Sequence, residues 1–159
     1  IEIFDVNSYT PGKTLNYLTS KSTNNILLTL SAHCKLLPNE NIGPIVNTNL
    51  EAVQAVFGKQ IPIYKGKRIT PRYIWSHFSD EVTTNMYSKI EDRHFLHNAF
   101  CFYDREYLLD HPFDNNLSGK EDRYWAKDVA DRGDVYLYEP TLQVEHYYTK
   151  NGATWKGLG

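Results

Sequence analysis

Apolar and polar positions along the chain fall into blocks that switch between a strand-like and a helix-like period. Residues 1–6 read as a short strand. Thr10 then stands as an N-cap with Pro11 at the first helical position, which predicts a helix to about Ser22 with Leu15 and Leu18 turned inward. Asn24 and Asn25 make a turn. Ile26 to Leu30 (Ile-Leu-Leu-Thr-Leu) is a nearly continuous apolar run, the pattern of a strand buried on both faces of a parallel sheet. Helix, turn and buried strand predict an α/β fold. Ser31-Ala32-His33-Cys34 follow at the carboxyl end of that strand, where ligands of open α/β sheets bind.

Residues 38–50 read as a loop with room for a short helix. Residues 52–57 alternate, with Val53, Ala55 and Phe57 on one side, and predict a strand that Gly58-Lys59-Gln60-Ile61-Pro62 ends. Residues 64–92 are polar and aromatic without a clean period, which predicts an extended loop with short helical pieces; loops of that length are usually functional or mobile. A strand is expected over 95–103 and a short helix over 105–109, stopped by His111-Pro112. The clearest helix spans 118–131. Ser118 is its expected N-cap, Glu121 three residues on completes a capping-box pattern, and Gly133 is its stop. Two short strands, 135–138 and 142–147, flank Glu139-Pro140-Thr141, and the polar tail 149–159 is expected to be loosely held.

Composition narrows the class. The 159 residues are 41% hydrophobic and 23% charged, which gives a core for one domain and excludes a disordered chain. A net charge of -2 and a pI near 6.3 show no basic bias toward nucleic acid. The 12 tyrosines and 3 tryptophans suit sugar faces, and equally suit any core or interface. The 2 cysteines, Cys34 and Cys101, form neither a disulfide scaffold nor a CxxC zinc spacing, so a reducing, cytoplasmic setting is expected. No apolar run reaches the length of a membrane span.

Candidate chemistry concentrates on the helix at Ser118. Positions 122, 125, 126 and 129 share one helical face and hold Asp122, Trp125, Ala126 and Val129. Asp122 is thus expected to point inward from the first turn, where the helix dipole favours its anion, as a general base at a pocket wall requires. Geometry alone favours the plainer reading, in which Asp122 supports the helix start and Glu121 closes the capping box. His33 ends a strand, His146 shares a strand face with Val144, and His97-Asn98-Ala99 interrupts an apolar strand. Each histidine taken singly is better read as a hydrogen-bonded structural residue, whereas a buried Asn98 must either pin a loop or line a site. Lys59, Arg105 and Lys120 are candidates for phosphate, or simply solvated.

The ordered set Phe57-Gly58-Lys59-Gln60-Ile61-Pro62, His97-Asn98-Ala99, Pro112-Phe113-Asp114, Gly119-Lys120-Glu121-Asp122-Arg123-Tyr124-Trp125-Ala126, Tyr138-Glu139-Pro140 and Val144-Glu145-His146 resembles the family-2 glycosyltransferases of GT-A fold, particularly the rhamnosyltransferase-type members. The resemblance runs from about Gly12 to Tyr148. It implies a partial Rossmann-like mixed sheet flanked by helices, and a nucleotide-sugar donor whose sugar passes with inversion to a saccharide or lipid-linked saccharide acceptor in polysaccharide assembly. Asp122 of the Glu121-Asp122 pair would be the base. Lys59, Gln60 and Asn98 would line the donor-sugar and acceptor pocket. Ser31-Ala32-His33 falls where the family's DxD motif holds a divalent metal, Mn²⁺ or Mg²⁺, against the donor diphosphate, and His146 matches a histidine that completes that site.

The sequence departs from the family in two ways. Ser-Ala-His replaces Asp-x-Asp, and serine is a poor ligand while histidine prefers softer metals than Mg²⁺, so a metal on His33 and His146 and a metal-independent site both stand. The family's N-terminal nucleotide-binding portion has no counterpart, so residues 1–159 are expected to form the acceptor-side part of the fold, with a bared sheet edge that a second copy or another chain completes. A non-catalytic binding or assembly module on the same fold is the alternative reading. A histidine metallohydrolase using His33, His97 and His146 lacks any HxH or HExxH spacing. A cytoplasmic place, free or peripheral at the inner face of the membrane, is what the resemblance implies.

Overall fold

A computed structural model of the chain describes residues 3–5, 8–69 and 77–148. Helix α1 (Pro11–Lys21) starts at the expected Thr10-Pro11 step, since a proline's fixed φ fits the first helical position and its missing N–H is one that a helix start leaves unpaired. The Thr10 hydroxyl does not cap the helix but donates to the Asn115 carbonyl at 3.3 Å. Gly12, Thr14 and Thr19 are buried, Leu15 packs partly buried on the core, and Leu18 is exposed, contrary to the expected inward pair. Gly12 sits at a close approach: a Cβ there would stand 2.4 Å from the Asp114 carbonyl oxygen. Residues 3–5 carry no regular structure, and the rest of the strand expected over 1–6 lies outside the described residues.

The remaining elements are β1 (Ile26–Leu30), β2 (Cys34–Leu36), α2 (Ile42–Leu50), β3 (Ala55–Tyr64), β4 (Lys67–Arg68), β5 (Thr83–Thr84), β6 (Tyr87–Ser88), β7 (Arg93–His94), β8 (Phe100–Asp104), α3 (Arg105–Asp110), α4 (Glu121–Asp131) and β9 (Tyr136–Tyr147). Among the described residues a seven-stranded sheet runs β1-β8-β3-β9-β2, with β4 on β3 and β5 on β9, while β6 and β7 pair separately. The sheet is mixed, as expected, but β3 with β9 is its parallel pair and the other described pairings are antiparallel. The doubly buried parallel strand expected at 26–30 is instead an edge strand, antiparallel to β8, with Leu28 and Leu30 exposed. An apolar run of this length reads alike at an edge and in a sheet centre.

β3 does not end at 58–62 but runs on to Tyr64. What falls there is a register skip, from Gly58 opposite Glu139 to Lys59 opposite Gln143. The two strands expected around Glu139-Pro140-Thr141 are accordingly one strand, β9, that absorbs the extra residues. The expected loop over 64–92 contains three strand pieces and part of it, residues 70–76, lies outside the described residues, as does the tail 149–159. β8 starts at Phe100 rather than 95, and His97-Asn98-Ala99 form the turn before it.

Two core clusters cover the two faces of the sheet. One joins Phe57, Phe95, Tyr103, Tyr136 and Tyr138 to Trp125, Ala126 and Val129 of α4; the other joins Val56, Phe100, Phe102, Leu137, Leu142 and Val144 to residues of α2. α3 is capped by Asp104, which accepts the Tyr107 N–H at 2.7 Å. Gly133, at φ 84°, closes α4 as expected. Cys34 and Cys101 are free thiols. No helix among the described residues is long and apolar enough to cross a membrane.

Candidate active site

α4 begins two residues later than its sequence pattern indicates, with its N-cap at 120 rather than 118. Its N-cap is Lys120, in the left-handed region at φ 64°, with no side-chain capping bond, so the Ser118–Glu121 capping box does not form. Glu121 is drawn to a tertiary partner instead: Asn98 Nδ2 donates to Glu121 Oε1 at 3.0 Å. The backbone N–H of the same asparagine donates to Asp122 Oδ2 at 3.1 Å. The 97–99 turn at the head of β8 therefore grips both carboxylates of the first turn of α4. Asp122 is buried, as expected, and so is Glu121.

Arg123 completes the group. Its Nη1 donates to Asp122 Oδ2 at 2.9 Å and to the Leu96 carbonyl, its Nε stands 3.7 Å from Glu91 Oε2, and its guanidinium lies 4.2 Å over the Phe95 ring. The Arg123 N–H also reaches Asp122 Oδ1 at 2.9 Å. Burial, with the Asp122 charge beside it, pushes the Glu121 carboxyl above its usual value, and the Asn98 bond opposes that rise. A neighbouring pair of carboxylates in unequal surroundings is an arrangement that can take up and pass on a proton.

The pair borders an open cleft of about 1380 Å³, lined also by Ser31, His33, His97, Asn98, Arg123 and His146. Ser31 and His33 form a tight turn between β1 and β2, in which the Cys34 N–H donates to the Ser31 carbonyl at 2.8 Å and the His33 N–H to the Ser31 hydroxyl oxygen at 3.3 Å. His146 is buried with its Nδ1 2.7 Å from Gln60 Oε1, and its ring centroid lies 6.3 Å from that of His97. Burial, then the charge of His33, lowers the His146 pKa to about 4. His97 is held well below its usual value by burial, then by the Arg123 and His146 charges; its Nδ1 accepts the Ala99 N–H at 3.1 Å.

Six of the eight residues expected at the site thus meet at one cleft: Ser31, His33, Asn98, Glu121, Asp122 and His146. Lys59 and Gln60 are not in its lining. Lys59 pairs with exposed Asp80, and Gln60 is buried and reaches the cleft only through His146. Sequence reasoning missed Arg123 and Tyr103, whose hydroxyl donates to Asn98 Oδ1. Arg123 follows the acidic pair directly, so its signal was adjacency to two carboxylates; Tyr103 sits in an apolar strand and gave none.

A divalent ion fits this donor set poorly. Among the described residues no group of three or more His, Cys, Asp or Glu side chains converges to hold a metal. His33 and His146 are the ligand types at hand in the 31–33 region, and the Nδ1 of His146 is engaged by Gln60.

No protein-family profile matches the chain, and no curated protein does. Among solved structures the chain is similar to GalNAc-T7, crystallised with UDP, GalNAc and Mn²⁺, with a TM-score of 0.59 at 13% sequence identity. The likeness covers 87% of this chain and 30% of that one, so the chain spans about a third of its neighbour's length. At that identity what is shared is the fold, that of a GT-A glycosyltransferase.

Proposed function

We propose that this chain is the acceptor-side part of a glycosyltransferase that moves a sugar from a nucleoside-diphosphate donor to a hydroxyl of a saccharide or lipid-linked saccharide, as in polysaccharide assembly. The observation that carries the reading is the buried Glu121-Asp122 pair, gripped by Asn98 at the wall of a large cleft, on a fold shared with a structure that holds UDP and GalNAc. The resemblance of the ordered motifs to the family-2 enzymes supports inversion as the stereochemical course.

The chemistry assigned to the pair is simple. Asp122 takes the proton of the acceptor hydroxyl as its oxygen attacks the anomeric carbon. The bond from that carbon to the diphosphate oxygen breaks, and the nucleoside diphosphate leaves with the electron pair. Asn98 and Arg123 keep the Asp122 carboxylate from turning away, so that orientation is settled before the substrate arrives. Among the described residues the donor set around His33 and His146 does not fit a divalent metal.

Calorimetric titration with UDP, dTDP and GDP tests the reading. Binding of one of them to the cleft is the expected result. If none of the three binds and no donor sugar is transferred, the reading fails and the binding-module alternative takes its place.

A further inference from the structure

Tyr103 is fully buried in the core, edge-on to Phe113 and Trp125, with ring centroids 5.7 and 5.1 Å away. Its hydroxyl is the only polar part of it, and that hydroxyl donates to Asn98 Oδ1. Burial above all, and then the Cys101 thiol and the two carboxylates, keep the phenol well above its ordinary pKa, so it remains a donor across the working pH range. Asn98 has its acceptor end on Tyr103 and its donor end, Nδ2, on Glu121 Oε1 at 3.0 Å.

We propose that Tyr103 and Asn98 are positioning residues: the core hydroxyl fixes which way round the Asn98 side-chain amide lies, and the amide in turn holds Glu121 beside Asp122. The inference rests on the reading of Glu121 and Asp122 as the working pair.

The physical basis is that an amide is a donor at one end and an acceptor at the other. With Glu121 ionised, the present orientation is the one that works. Turned over, Oδ1 would face a carboxylate oxygen, two acceptors in contact in a buried place, and an unsatisfied polar contact there is costly. With Glu121 protonated the turned-over amide becomes acceptable, because the carboxyl O–H donates to Oδ1 and Nδ2 donates to the Tyr103 oxygen. The hydroxyl therefore favours the orientation that serves an ionised Glu121, and by polarising the amide it strengthens the Nδ2–H bond to the carboxylate. The backbone N–H of Asn98, tied to Asp122 at 3.1 Å, does not turn with the side chain. The other ionisable groups facing Glu121 from the packed elements are Asp122 and Arg123 on α4 and Tyr103 on β8.

The test is a carbon-13 NMR titration of the side-chain carboxyls, with the Glu121 resonance identified by its loss in Glu121→Gln. In Tyr103→Phe, which keeps the ring and its core contacts, the Glu121 midpoint moves to higher pH. In Asn98→Ala it moves further in the same direction, and Tyr103→Phe added to Asn98→Ala moves it no more, since the tyrosine acts through the asparagine. A Glu121 midpoint unchanged in folded Tyr103→Phe overturns the proposal. So does a Tyr103→Phe shift that persists in full on the Asn98→Ala background. If Asn98→Ala does not fold, the single tyrosine variant decides. The titration needs neither donor nor acceptor, so its failure is distinct from a failure of sugar transfer.

Discussion

Gln60 Oε1 lies 2.7 Å from His146 Nδ1, a pairing that joins β3 to β9 beside the cleft, where burial holds the imidazole neutral. The His146 pKa is lowered from 6.5 to about 4, so between those values the unfolded chain binds a proton that the folded chain refuses. Stability therefore falls as pH drops through that window. At 1.36 kcal/mol per pKa unit the loss from this residue is on the order of 3 kcal/mol. Urea unfolding at intervals from pH 7 to pH 4 will show it. His146→Asn, which keeps a donor for Gln60 but does not titrate, should lose markedly less over the same range; an equal loss in the variant would assign the acid sensitivity elsewhere.

The two carboxylates of α4 differ in what they have left to offer. Both Asp122 oxygens accept N–H groups, from Arg123 and Asn98, while Glu121 accepts one from Asn98 and its pKa is raised. With Asp122 as base, Asp122→Asn lowers the rate of transfer by roughly 10²–10⁴-fold and leaves nucleotide affinity nearly unchanged. Glu121→Gln, whose amide still accepts from Asn98, loses clearly less. Should Glu121→Gln cost as much as Asp122→Asn or more in kcat, the base is Glu121.

What could be read from the sequence was what local chemistry decides. The start of α1 at Pro11, the Gly133 stop and the inward stripe of Asp122, Trp125, Ala126 and Val129 depend on backbone preferences and on a single helical period. What could not be read was decided by distant partners. Glu121 leaves the capping box for Asn98, 23 residues away in the chain. The apolar run at Ile26–Leu30 gives no sign that β8 covers one edge of it alone. Six of the eight expected site residues line the cleft, while Lys59 and Gln60, just past the register skip at Gly58/Lys59, do not: one pairs with Asp80 and the other is buried against His146.

That skip makes a separate prediction about Gly58. A Cβ there would stand 2.5 Å from the Phe100 ring and 2.6 Å from the Leu142 carbonyl oxygen. The ring belongs to a packed core and the carbonyl to β9, so neither yields cheaply. Gly58→Ala should cost about 1–3 kcal/mol in urea unfolding. Gly43, on α2, has nothing within 4 Å of the same construction, and Gly43→Ala should be neutral or stabilising by up to about 1 kcal/mol. Equal effects of the two substitutions would mean that crowding at Gly58 relaxes at no cost.

Arg123 offers the sharpest test of how the site is held. Its guanidinium serves Asp122 and the Leu96 carbonyl together while lying flat on Phe95, with its side chain 7% exposed. A planar fork can make these contacts at once; a lysine ammonium, compact and strongly hydrated, cannot. Arg123→Met would leave Asp122 buried without its cation, a change that costs roughly 3–5 kcal/mol in comparable buried pairs. Arg123→Lys should recover only part of that loss. The informative variant is Arg123→Met combined with Asp122→Asn, which removes both charges and should be more stable than Arg123→Met alone. If the double variant is no more stable, the arginine supports the fold through Leu96 and Phe95, and its pairing with Asp122 contributes nothing to stability.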